Sequence, residues 1–96
     1  MAQTPEGRVK DKVKKVLKKH RAYYHMPVQN GMGKPTLDFV GCKAGQFFGI
    51  ETKAPGKKMT ERQLLTQREM EAAGGVVFCI DGETEALEFW LQSAGK

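Results

Sequence analysis

Apolar and polar positions alternate along this chain in two rhythms. Val9, Val13, Val16 and Leu17 recur at helical spacing, with lysines on the other faces. Thr4-Pro5 in front of them supplies an N-cap and a first-turn proline. Together they predict a helix running to about His20. Residues 26–35, rich in Gly and Pro, read as a loop. Leu37–Cys42 and Gln46–Lys53 read as strands joined by a turn at Lys43-Ala44-Gly45. A second loop, Ala54–Lys58, leads to Thr60 and Gln63, whose spacing is that of a capping box, and so to a helix ending at Gly74-Gly75. The apolar run Val76–Ile80 reads as a strand buried on both faces. Asp81-Gly82 then turns the chain into a last helix, Glu83 to about Gln92, with Leu87, Trp90 and Leu91 inward. The predicted order is αββαβα, a small mixed α/β sheet flanked by helices.

Ninety-six residues leave room for a single domain, 1–96. With 40% hydrophobic and 28% charged residues the chain is expected to fold rather than stay disordered. No apolar stretch approaches the roughly 20 residues of a membrane span. The first thirty residues lack the apolar core of a signal peptide, so secretion is not expected. Cys42 and Cys79 have neither disulfide-framework nor zinc spacing. Lying in predicted strands, they are expected to be buried free thiols in a reducing, cytoplasmic setting.

Charge changes the picture. The formal net charge is +5, and eight of the 16 basic residues fall before residue 22. This is expected of a surface that meets a polyanion, nucleic acid above all; a solvated lysine-rich helix face gives the same pattern. Lys10, Lys14 and Lys18 are the candidate DNA contacts on the first helix. Lys57 and Lys58, in the loop after the second predicted strand, either touch backbone phosphates or are only solvated.

The chemistry is concentrated around Asp38 and Glu51-Thr52-Lys53. In a strand Glu51 and Lys53 share one face, and Ile50 and Thr52 the other. Phe47-Phe48-Gly49-Ile50 alongside is expected to be core, where an acid and a base are costly unless paired or liganded. Two carboxylates brought together by adjacent strands repel, and a divalent cation relieves that; hard oxygen ligands suit Mg²⁺ or Mn²⁺. Neutralisation of Glu51 or Asp38 by Lys53 at a sheet edge explains the same spacing. Gly31-Met32-Gly33-Lys34-Pro35 is not a P-loop, since no Ser or Thr follows the lysine and no strand precedes it. His20 and His25 have no paired nucleophile, and Tyr23-Tyr24-His25 either lines a DNA path or closes the helix.

Asp38, followed by Glu51-Thr52-Lys53, resembles the D…(D/E)xK signature of restriction-endonuclease-like nucleases. The glycine-rich loop into Pro35, the hairpin, Thr60-x-x-Gln63 and Ala73-Gly74-Gly75 make the stretch from Glu6 to Ile80 similar to the stand-alone phage-type VRR-NUC domain. The family usually has Pro directly before Asp. Here Thr36 and Leu37 intervene, and Asp38, the carboxylate available between residues 12 and 50, takes the role. The resemblance implies a restriction-endonuclease-like α/β fold and a Mg²⁺- or Mn²⁺-dependent endodeoxyribonuclease. It implies that Asp38, Glu51 and the Thr52 carbonyl hold the metal and that Lys53 orients or helps deprotonate the attacking water. Gln63 matches the family's glutamine after the ExK strand. It is equally a helix cap, and both roles together would require its side chain to turn away from the Thr60 amide. Glu6 resembles the family's first-helix metal carboxylate, or is a glutamate placed for the helix dipole. The implied substrate is branched DNA, Holliday junctions in particular, cut by a homodimer of phage or prophage origin. A flap or nicking nuclease, or a non-catalytic basic DNA-binding module, are the alternatives.

Overall fold

The computed structural model describes residues 3–29 and 33–94; part of the expected Gly/Pro-rich loop, residues 30–32, lies outside them. The first helix, α1, spans Pro5–Lys19. The Thr4 hydroxyl accepts the Gly7 N–H at 2.9 Å, and Val9, Val13, Val16 and Leu17 are its buried residues. Its end is set by Arg21, which adopts a left-handed φ of 57°.

Strand β1, Tyr23–His25, follows immediately and pairs antiparallel with β2, Phe39–Lys43. β3, Gln46–Thr52, pairs antiparallel with β2 through a two-residue turn. Ala44 and Gly45 in that turn both have positive φ, 53° and 82°, as the twist of a tight hairpin demands. The second helix, α2 (Glu61–Ala72), crosses over to β4 (Val76–Ile80), which runs parallel to β3, and α3 (Glu85–Ser93) ends the described chain. The sheet order is β1-β2-β3-β4. A four-stranded mixed sheet with three helices is therefore the architecture, and the element order is αβββαβα rather than αββαβα.

The added strand is Tyr23–His25, which extends the sheet instead of closing the helix. Gly41 makes the pairing possible: a Cβ there would lie 2.0 Å from the Tyr23 carbonyl oxygen. β2 begins at Phe39, two residues later than expected, because the Thr52 N–H is taken by the Asp38 carboxylate at 3.0 Å instead of by a strand carbonyl. β4 is an edge strand and only its last residue, Ile80, is buried. The expectation of burial on both faces fails because a short apolar run does not distinguish an edge from a centre. Cys42 and Cys79 are exposed free thiols, not buried ones: each lies on a strand face that no helix covers fully.

α1 and α3 cover one face of the sheet, where Val9, Val13, Leu17, Phe39, Phe48, Ile50, Leu87 and Leu91 form the core. Trp90 meets Phe48 and Phe78 edge-on, with ring centroids 5.8 Å apart in each pair. α2 lies on the other face, where Met70 fills the space above Gly49. Cover there is thinner. Thr66 is the one buried residue of α2, and Phe47 is 44% exposed instead of core.

Candidate functional site

Strand register assembles the site. Phe39 stands opposite Ile50, and both side chains enter the core. One step beyond this antiparallel register the Asp38 backbone comes opposite Glu51; Glu51 is on the α2 face, whereas the Asp38 carboxylate reaches the Thr52 hydroxyl and Lys10 of α1. Glu51 is 4% exposed. Its pKa is pushed from the ordinary 4.5 up to about 7, first by burial and then by the negative charge of Asp38, with Lys53 pulling the other way.

Each carboxylate has one oxygen held by the protein. Asp38 Oδ2 accepts the Thr52 N–H at 3.0 Å and the Thr52 hydroxyl at 2.7 Å. Glu51 Oε2 accepts from Gln63 Nε2 at 2.9 Å and lies 3.9 Å from Lys53 Nζ, on the same strand face as expected. The second oxygens differ. Glu51 Oε1 is buried and has no hydrogen-bond partner among the described residues. Asp38 Oδ1 is 3.9 Å from Lys10 Nζ, which in turn is 3.4 Å from Glu6 one helical turn earlier.

Gln63 sits at the start of α2 and does two things at once. Its Oε1 accepts the Thr60 N–H at 2.9 Å, the Thr60 hydroxyl accepts the Gln63 N–H at 3.2 Å, and its Nε2 reaches Glu51. Contrary to the expectation from sequence, the side chain keeps the Thr60 cap while it reaches Glu51, because the two ends of one amide face opposite ways. Glu6 is half-exposed, and it meets the site through Lys10. Lys10 is thus placed differently from a surface DNA contact: its ammonium points back between two acids of its own chain. Other lysines of the run are also engaged, Lys12 with the Gly82 carbonyl and Lys19 with Glu88. Lys14 and Lys18 form no ion pair among the described residues, and Lys57 and Lys58 are exposed. His20 packs beside Glu88, well away from the carboxylates in the chain's hydrogen bonding, and His25 is exposed on β1.

Two contributions were not legible in the sequence. The Thr52 hydroxyl, expected only to face away from Glu51, holds Asp38. A polar pocket of about 260 Å³ opens beside Gln63, lined among others by Gln29, Lys34, Thr60 and Arg62. Arg62 carried no signal beyond its position next to Gln63.

Among the described residues, no group of three or more His, Cys, Asp or Glu side chains stands together as a metal cluster. The donor set is instead two converging carboxylates, each presenting one oxygen that its own hydrogen bonds do not use. Mg²⁺ is commonly held by one or two carboxylates, with waters and substrate oxygens completing its shell. The unpartnered Glu51 Oε1 and the all-oxygen donors fit such an ion. Among the described residues no helix is long and apolar enough to cross a membrane. No protein-family model matches the chain, and no curated protein matches it significantly.

Proposed function

We propose that this chain is a metal-dependent endodeoxyribonuclease of the restriction-endonuclease-like class, akin to the stand-alone VRR-NUC domain. The observation that carries the reading is the buried Oε1 of Glu51, unpartnered among the described residues, close enough to Asp38 to feel its charge and with Lys53 alongside. A buried acid whose pKa is pushed up to about 7 carries a cost that a bound cation would remove.

The residues divide the work. Asp38 and Glu51 would hold Mg²⁺ or Mn²⁺, joined by the Thr52 carbonyl and, from the first helix, Glu6. The chemistry supplied there is charge stabilisation at the phosphate and acidification of water. Thr52 fixes the Asp38 carboxylate through two donors, and Gln63 fixes Glu51 through one, so both carboxylates are oriented before substrate arrives. Lys53 presents its ammonium to the scissile phosphate and the attacking water. Lys14, Lys18, Lys57 and Lys58 supply phosphate contacts that set affinity rather than chemistry.

Branched DNA is the proposed substrate, with the four-way junction its leading form and a homodimer its cutter. The test is cleavage of a labelled four-way junction with and without Mg²⁺. Metal-dependent paired cuts support the resolvase reading, single cuts or flap removal a nicking or flap nuclease, and binding without cleavage a DNA-binding module.

A further inference from the structure

Lys10 occupies a place that the other lysines of α1 do not. Its ammonium lies 3.4 Å from Glu6 and 3.9 Å from Asp38 Oδ1, and about a third of its side chain is exposed. Asp38 Oδ2 is occupied by two Thr52 donors, so Oδ1 is the oxygen that remains to face a cation. Lys10 therefore faces the same carboxylate oxygen that a divalent ion needs. Without it, Glu6 and Asp38 Oδ1 would face each other with no ammonium between them, and like charges repel.

We propose that Lys10 is a resident counter-ion of this site: it holds Glu6 and Asp38 together in place of a divalent cation, and the arriving cation displaces its ammonium. The inference rests on the metal-site reading above and adds a competitor to it. Displacement costs the incoming ion the Lys10 contacts, so metal affinity is set below what the carboxylates alone would give. The four-carbon stem of lysine is long enough to swing outward while its methylenes stay against α1.

The probe is Mn²⁺ alone, without DNA, followed by titration calorimetry of the full chain at pH 8. Lys10→Gln should bind Mn²⁺ roughly tenfold more tightly than the wild type, a change equal to about 1.4 kcal/mol. Lys10→Met, which keeps the apolar stem, should do the same and guards against a folding defect of the first variant. Lys15→Gln, exposed on the same helix and without an acid partner among the described residues, should stay within about twofold of wild type. A wild type that binds too weakly to measure beside a Lys10→Gln that binds would support competition in its strongest form. Equal or weaker Mn²⁺ binding by both Lys10 variants, with the wild type binding, would overturn the counter-ion while leaving the metal site standing. No Mn²⁺ bound by any of the four proteins would overturn both.

Discussion

Gln63 donates to Glu51 Oε2 at 2.9 Å while the other end of the same amide accepts the Thr60 N–H, so the cap of α2 and the orientation of a buried acid share one side chain. Two substitutions separate these roles. Gln63→Ala should lose the cap, about 0.5–2 kcal/mol of stability, and drop single-turnover cleavage at least tenfold. Gln63→Glu keeps an acceptor for the Thr60 N–H but sets a carboxylate against Glu51. Its thermal melt near pH 6 should lie close to wild type, while cleavage falls as far as in the alanine variant. Wild-type cleavage by Gln63→Glu would mean that the contact to Glu51 serves folding alone.

The catalytic set makes a sharper statement. Asp38→Asn, Glu51→Gln and Lys53→Ala should each abolish junction cleavage while leaving junction binding within a few-fold of wild type. Affinity on this reading comes from phosphate contacts by lysines outside the site, chiefly Lys14, Lys18, Lys57 and Lys58. Gel-shift and cleavage assays on the same samples check both halves. Turnover in chelator by the wild type would refute the metal requirement outright.

Glu51 also predicts a pH dependence of folding. Its pKa is about 7 in the folded chain against 4.5 ordinarily, so between those values the native state holds a proton that the unfolded chain has released. Stability must then fall as pH rises across this window. The destabilisation is absent below about pH 4.5 and complete above about pH 7. A shift of this size is at most on the order of 3 kcal/mol. Metal-free Glu51→Gln should therefore melt higher than wild type at pH 8, and the difference should shrink toward zero at pH 4.5. A gap that stays constant with pH would show that Glu51 is not the titrating group.

Much of this site was readable from sequence for a simple reason. Strand alternation put Glu51 and Lys53 on one face, and the short hairpin made it certain that whatever preceded β2 would come back beside Glu51. The first helix was equally readable, because Thr4-Pro5 and the Val9-Val13-Val16-Leu17 stripe agree. What could not be read depends on spatial neighbours. β1 is three residues long, too short for a period, and its pairing depends on Gly41 having no side chain. Lys10 looks like every other lysine of α1 until Asp38 is placed across from it. The exposure of Cys79 follows from β4 lying at the edge, which depends on where the α2 crossover sets it down and not on the five apolar residues themselves.

Salt dependence distinguishes the lysines of α1. Lys18 is exposed and Lys14 half-buried, and neither has an acidic partner among the described residues, whereas Lys10, Lys12 and Lys19 are already engaged. Replacing Lys14 and Lys18 together by Gln should reduce the slope of log K against log salt by about 1.8, if each neutralises one phosphate of duplex DNA. Fluorescence anisotropy over 50–200 mM salt (about a tenfold range in affinity per pair of contacts at most) reads this directly. An unchanged slope would remove α1 from the DNA face.

A four-way junction needs two cuts, and a two-fold dimer is the commonest arrangement by which a small protein presents two identical sites. An α1 exchanged across such a dimer would lend Glu6 to the partner. Its packing argues otherwise: Val9, Val13 and Leu17 are buried in the core of their own chain, and Glu6 is joined through Lys10 to the Asp38 of that same chain. On the proposed reading each site is therefore built from one chain. Glu6→Gln and Glu51→Gln chains, each impaired in cleavage, should consequently give no recovery when unfolded together and refolded as a mixture. In every mixed pair one site lacks Glu6 and the other lacks Glu51. Recovery toward a quarter or more of wild-type cutting would require an exchanged first helix, and would place Glu6 in the partner's site.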